Sequence, residues 1–243
     1  MKIFWICGNH TVSEAIKNPK RKVVQVICKQ DTSIEKLCNA HNVKYQYYKH
    51  NDENKIIKNK DNIAHQHTFA QIESVPNQSL KNISSSDKIN FIALENITDV
   101  RNIGSIIRTS VCFGLYGLII EKKNFKSDSM EMYKAASGAM EHINIYSVSN
   151  LNQSLRDIKE KNFFTYGFDS NQGETFNESS IEKTRNIFVL GSEGSGLKEL
   201  TKKNCDFLIK LNMASTIDSL NVANACSAAL GIFNYILDKK KAQ

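Results

Sequence analysis

The chain has 243 residues, 41% of them hydrophobic and 23% charged, with a formal net charge of +7. That length accommodates one large domain or two small ones with ample core, and the balance is that of a soluble globular protein, excluding disordered and collagen-like classes. No apolar run approaches the roughly 18 residues of a membrane helix, residues 3–7 are too short for a secretory signal, and six scattered cysteines without a CxxC point to reduced, buried thiols and a cytoplasmic setting.

The charge is unevenly placed. Residues 1–90 carry 14 Lys and Arg against 8 Asp and Glu, whereas residues 91–243 carry 18 against 17. A basic first third before a nearly neutral remainder fits a polyanion-gripping module joined to a second function. A solvated basic surface is the plainer alternative.

In chain order, residues 2–7 predict a strand, and Thr11 with Glu14 three positions on has capping-box spacing for a helix after Gly8. The β-branched run at 23–28 predicts a second strand, followed by a helix at 33–41 and a strand at 43–48. Next comes Ala64-His65-Gln66-His67-Thr68, then a polar stretch to Lys88 containing Pro76 and three serines at 84–86. The predicted division is a domain at 1–70, a linker at 71–88 and a second domain at 89–243. His65 and His67 lack a third partner, so no metal site is expected.

From Asn90 the alternation restarts. Strands are predicted at 92–95, 115–121, 143–148, 163–168, 186–190 and 207–211, and helices at 102–113, 129–136 and 151–161. A final Ala-rich helix runs to about Asp238, with small and apolar residues on most faces, so it should be buried. The strand at 115–121 shows no polar alternation, as expected when both faces are covered. Strands alternating with helices predict an α/β fold with a mostly parallel sheet.

Ligands on such sheets bind beyond the C-terminal ends of the strands, and three loops there stand out. The first carries Asn102, Gly104 and Arg108. Asn102 suits a helix N-cap; Arg108, flanked by Ile106, Ile107, Val111 and Phe113, should be partly buried beside an anion. The second is Gly191-Ser192-Glu193-Gly194-Ser195-Gly196. Its GxxGxG spacing departs from the dinucleotide fingerprint, no Lys-Ser/Thr pair follows, and Glu193 would repel a phosphate; a positively charged ligand suits it better. The third runs from Lys210 to Cys226 through Ser219-Leu220-Asn221, where Ser219 occupies a plausible helix-capping position.

Together these loops resemble the SpoU/TrmH family of RNA ribose 2′-O-methyltransferases, of the SPOUT superfamily. The likeness rests on Asn102-x-Gly104-x-x-x-Arg108-Thr109, Leu190-Gly191-x-Glu193-Gly194-x-Gly196-Leu197 and Ser219-Leu220-Asn221-Val222, with Ser137-Gly138-Ala139 between the first two. Gly8-Asn9-His10-x-Val12 and His65-Gln66 resemble marks of the 23S rRNA guanosine-2′-O-methyltransferase (RlmB-type) branch. Four positions depart from the family pattern: Val100 and Asn212 replace prolines, and His67 and Ser215 replace glycines.

The resemblance implies an L30e-like RNA-binding N-terminal domain and a catalytic domain with a deep trefoil knot that holds S-adenosylmethionine. It implies cofactor contacts at Gly191, Leu211 and Leu220, and a catalytic set of Asn102, Arg108, Glu193, Ser219 and Asn221, in which Glu193 orients Arg108 or the motif loops. It also implies a homodimer through the last helix and an RNA substrate, 23S rRNA at a peptidyl-transferase guanosine. A tRNA 2′-O-methyltransferase, or a non-catalytic RNA-binding or ribosome-assembly protein, are the alternatives.

Overall fold

The computed structural model describes residues 2–30, 32–57, 63–84, 89–170, 172–176, 181, 185–214 and 220–241. The chain divides into two compact units, residues 1–76 with 126–142, and residues 77–125 with 143–243.

The first unit is built on a four-stranded sheet of β1 (Ile3–Cys7), β2 (Val23–Cys28), β3 (Tyr45–Tyr47) and β4 (Phe69–Glu73), in the order β1-β4-β2-β3. β4 runs antiparallel to both β1 and β2, and β3 is parallel to β2. Three helices accompany the sheet: α1 (Asn9–Lys17), α2 (Ser33–Ala40) and α3 (His50–Ile56). Thr11 does not cap α1; it lies inside the helix and donates to the Tyr133 carbonyl, and Glu14 pairs with Lys17 and His142 instead. β4 also falls where the linker was expected to begin. Its alternation is masked by Gln71 and Glu73, but Phe69, Ala70 and Ile72 are fully buried.

Residues 126–142 complete this unit rather than joining the sheet that precedes them in sequence. They contain α5 (Met130–Ala136), whose Tyr133 ring meets Phe4 at 5.4 Å. Glu141 is held by Arg21 in a pair whose side chains are each 1% exposed, while Arg21 Nη1 donates to the Glu73 carbonyl. One buried charge without the other would be costly, so this pair ties 126–142 to the N-terminal sheet.

The second unit is a seven-stranded parallel sheet in the order β7-β6-β5-β10-β8-β11-β9. Its strands are β5 (Phe91–Leu94), β6 (Gly117–Glu121), β7 (Asn144–Val148), β8 (Phe164–Phe168), β9 (Glu174–Thr175), β10 (Asn186–Leu190) and β11 (Phe207–Lys210). Every pairing is parallel, and all five residues of β10 are buried, as a central strand covered on both faces requires. The helices are α4 (Val100–Cys112), α6 (Leu151–Lys159), α7 (Glu199–Asn204) and α8 (Val222–Lys241). Lys161 secures the entering segment by donating to the carbonyls of Leu80, Lys81 and Ile83.

α8 is buried on one face only. Val222, Ala223, Cys226, Ala229, Leu230, Phe233 and Ile236 pack inward, whereas Asn224, Ser227, Ala228 and Tyr235 are exposed. The expectation of a wholly buried helix therefore fails within this chain, because the apolar residues keep helical period along one side.

Candidate active site

The C-terminal ends of β5, β10, β8 and β11 lie side by side, and the loops leaving them carry the predicted polar residues. Glu95 directly follows β5, and its N–H donates to the Leu190 carbonyl. Its carboxylate is 3% exposed and accepts from Lys198 N at 2.8 Å and Thr201 Oγ1 at 2.6 Å. A carboxylate buried with charge-assisted hydrogen bonds is costly to unmake. Glu95 thus fastens the exit of the glycine loop to the end of β5. The sequence placed Glu95 only at a strand end and gave no sign of this partnership, which spans about a hundred positions.

Asn102, Glu193 and Asn221 meet across three loops. Asn102 Nδ2 donates to Glu193 Oε1 at 3.0 Å, and Asn221 Nδ2 donates to Asn102 Oδ1 at 3.1 Å and to Glu193 Oε1 at 2.5 Å. Val222 N points to the same carboxylate oxygen at 3.3 Å, so a negative charge sits at the positive end of α8, where it is favoured. Asn221 also caps α8: its Oδ1 accepts from Ala223 N and Asn224 N at 3.0 and 3.3 Å. Ser219, for which capping was expected, lies like Ser215 outside the described residues.

Asn102 is not a cap either. Asp99 caps α4, accepting from Arg101 N at 2.8 Å, and Asn102 falls in the first turn. Arg108 is exposed and has no hydrogen bond or ion pair with any described residue. The expected burial of Arg108 beside an anion is not found, nor is a bond from Glu193, which is engaged by the two asparagines instead. The apolar neighbours that suggested burial lie on other faces of α4, where Ile103, Ile106 and Ile107 fill the core.

Beside the trio lies a cavity of about 320 Å³ whose wall includes Gly191, Glu193, Leu211 and Leu220. All three residues expected to touch a cofactor thus line one space. Gly191 is irreplaceable on steric grounds, since a Cβ there would stand 2.1 Å from Gly196 C and 2.4 Å from Leu197 N. The loop doubles back on itself through a bridge between Ser192 and Gly196. Asn212, one of the departures from the family pattern, is held by Thr175, whose hydroxyl donates to its Oδ1 at 3.1 Å. Among the described residues no cluster of three or more metal-ligating side chains occurs.

Residues 90–231 match the model of the SpoU rRNA Methylase family. The chain is similar, at 28% identity over 248 residues, to YacO of Bacillus subtilis (strain 168), which is assigned to the TrmH family of tRNA/rRNA methyltransferases; 98% of this chain and 96% of YacO are covered. Among solved structures, the SpoU methyltransferase AviRb from Streptomyces viridochromogenes, in complex with AdoMet, superposes with a TM-score of 0.79 at 19% identity, covering 98% of this chain and 90% of AviRb. An RNA 2′-O ribose methyltransferase superposes with a TM-score of 0.78 at 15% identity, covering 98% and 89%. At such identities the structural likeness shows the fold alone, the α/β architecture expected from the sequence.

Proposed function

The chain belongs to the SpoU rRNA Methylase family, and from that premise we propose that it methylates a ribose 2′-oxygen in RNA with S-adenosylmethionine as donor, at a guanosine of 23S rRNA in the peptidyl-transferase region. The observation that carries this is the convergence of Gly191, Leu211 and Leu220 on one cavity beside the Asn102–Glu193–Asn221 trio. AviRb, which shares the fold, binds AdoMet.

The residues present fit that cofactor. The glycine loop lets backbone groups reach an adenine without side-chain entropy cost. Met213 and Leu220 are 37% and 41% exposed at the cavity, apolar surface that an occupant would cover. The carboxylate of Glu193 suits a cationic ligand and disfavours a phosphate. When bound, S-adenosylmethionine supplies a methyl group on a positively charged sulfur.

The rest falls to the protein. A hydroxyl is a poor nucleophile, so the site must align it and help its proton leave. Asn102, fixed on Glu193, keeps one amide N–H for the ribose, and Asn221, whose amide is fully engaged, holds Asn102 and Glu193 in place. Ser219 joins them in the catalytic set. Arg108, exposed on α4, binds an RNA phosphate near the target and stabilises the developing alkoxide. Because it has no partner among the described residues of its own chain, it is available to RNA or to a second subunit. The exposed Asn224, Ser227, Ala228 face of α8 supports a homodimer through that helix, since small residues let helices approach closely. The first unit, residues 1–76 with 126–142, holds 14 Lys and Arg against 10 Asp and Glu and grips RNA through phosphates.

Purified protein incubated with radiolabelled S-adenosylmethionine and unmethylated 23S rRNA should label one ribose, located by nuclease digestion and mass spectrometry. Label appearing on tRNA instead would shift the substrate, and no label on either would leave a non-catalytic RNA-binding protein.

A further inference from the structure

The cavity wall also holds an ion pair, between Asp169 and Lys202. Asp169 follows the last residue of β8, on the sheet edge between Gly191, which leaves β10, and Leu211, which leaves β11. It is 9% exposed and lines the cavity. Its Oδ1 accepts from Gln172 N at 2.9 Å, and its Oδ2 lies 2.8 Å from Lys202 Nζ on α7. Lys202 lines the same cavity and also pairs with Glu199 at 3.1 Å. Asp169, then Glu199, hold the Lys202 ammonium above the ordinary lysine range.

Asp169 is buried and Lys202 partly so, and desolvating the charges offsets much of their attraction, so the pair contributes little to stability. Its presence in the wall of a binding cavity calls for a ligand-directed explanation. The two neighbours of Asp169 on the sheet edge are the backbone ribs expected to flank a nucleoside, and an anion between them faces the sugar or base rather than a phosphate. A ribose offers two adjacent hydroxyl donors. A carboxylate offers two oxygens with about four lone-pair sites, the matching geometry, and an acidic side chain at a strand end serves this purpose in dinucleotide-binding sheets. We propose that Asp169 accepts the 2′- and 3′-hydroxyls of the cofactor's adenosine, and that Lys202 is a positioning residue holding the carboxylate charged and in register. This rests on the reading of the cavity as the S-adenosylmethionine site.

Calorimetric titration of the full chain with 5′-methylthioadenosine, its 2′-deoxy and 3′-deoxy analogues, and S-adenosylhomocysteine tests it. The wild type should lose roughly tenfold in affinity for each deoxy analogue, the loss expected for one hydrogen bond to a charged acceptor. Asp169→Asn should weaken methylthioadenosine by a similar factor and abolish the discrimination. Lys202→Met should weaken it less and reduce the discrimination in part. Wild-type protein that binds the deoxy analogues as tightly as the parent nucleoside overturns the proposal whatever the variants do. So does an Asp169→Asn effect confined to S-adenosylhomocysteine, which would assign the pair to the amino-acid end. A wild type that binds none of the four ligands instead overturns the underlying assignment of the cavity.

Discussion

Substituting alanine at Gly191 or Gly194, three positions apart in one loop, should give opposite results. The Gly191 Cβ would stand 2.1 Å from Gly196 C, 2.3 Å from Gly196 O and 2.4 Å from Leu197 N. These are backbone atoms, unable to yield as a flexible side chain would, and relief requires one strand of the loop to move by more than an ångström. Overpacking of this kind costs about 1–3 kcal/mol, which lowers the melting temperature of a chain this size by about 2–12 °C. A Cβ at Gly194 meets nothing within 4 Å, so Gly194→Ala should stay within about 0.5 kcal/mol of wild type. Because the displaced backbone lines the cavity, Gly191→Ala should also weaken S-adenosylhomocysteine by about tenfold, the scale of one lost ligand hydrogen bond, whereas Gly194→Ala should not. Far-UV circular dichroism reads the stability and calorimetry the affinity; the single tryptophan, Trp5, reports only the first unit. Equal behaviour of the two variants would refute the tight crossing at Gly191 as the reason for its glycine.

Four other outcomes are expected. Arg108→Lys should retain part of the methyl-transfer rate and Arg108→Ala almost none, measured under single turnover with RNA binding checked separately; equal losses with binding intact would mean the planar guanidinium itself is needed. Thr201→Val removes the fully buried hydroxyl that donates to Glu95 and accepts from Asn152; it should cost about 1–3 kcal/mol in thermal unfolding, and a silent substitution would deny Glu95 its role as a fastener. Lys17, then His142, hold the Glu14 carboxyl below its ordinary value of 4.5, so its contribution is complete above that pH and is lost as the pH falls below it. Urea titrations followed by Trp5 fluorescence between pH 6 and 3.5 should therefore show a shallower acid decline for Glu14→Gln than for wild type; identical slopes would contradict the pairing. Binding to 23S rRNA fragments should weaken steeply with salt, about in proportion to the phosphates contacted, and a salt-insensitive affinity would count against the basic first unit as the grip.

The parallel sheet was legible because its strands are short, apolar and evenly separated by helical patterns; 186–190 agrees with β10 residue for residue. Elements whose signal is weak locally escaped. α3 is polar up to its last residue, Ile56, and starts where the Lys49 N–H meets the Asp52 carboxylate, and α7 has only six residues. The membership of 126–142 in the first unit depends on Arg21 reaching Glu141, 120 positions away, which no local pattern encodes. At the site, residue types and order pointed to Asn102, Glu193 and Asn221, but not to who bonds whom. The cap of α4 was misplaced by one turn: the sequence pointed to Asn102, and the structure gives the role to Asp99. His67 shows the same limit: the sequence marks it as a replacement for glycine, and only the structure shows it in the left-handed region, at φ 54°, where a side chain is strained.

The most direct test of the account maps every 2′-O-methylated ribose in the 23S rRNA and tRNA of a strain lacking this protein against its parent. One methylated guanosine should vanish from 23S rRNA, return with the wild-type gene, and fail to return with Asn102→Ala or Arg108→Ala expressed at equal level. Ribose methylation that is unchanged in every RNA of the deletion strain would contradict the proposed reaction.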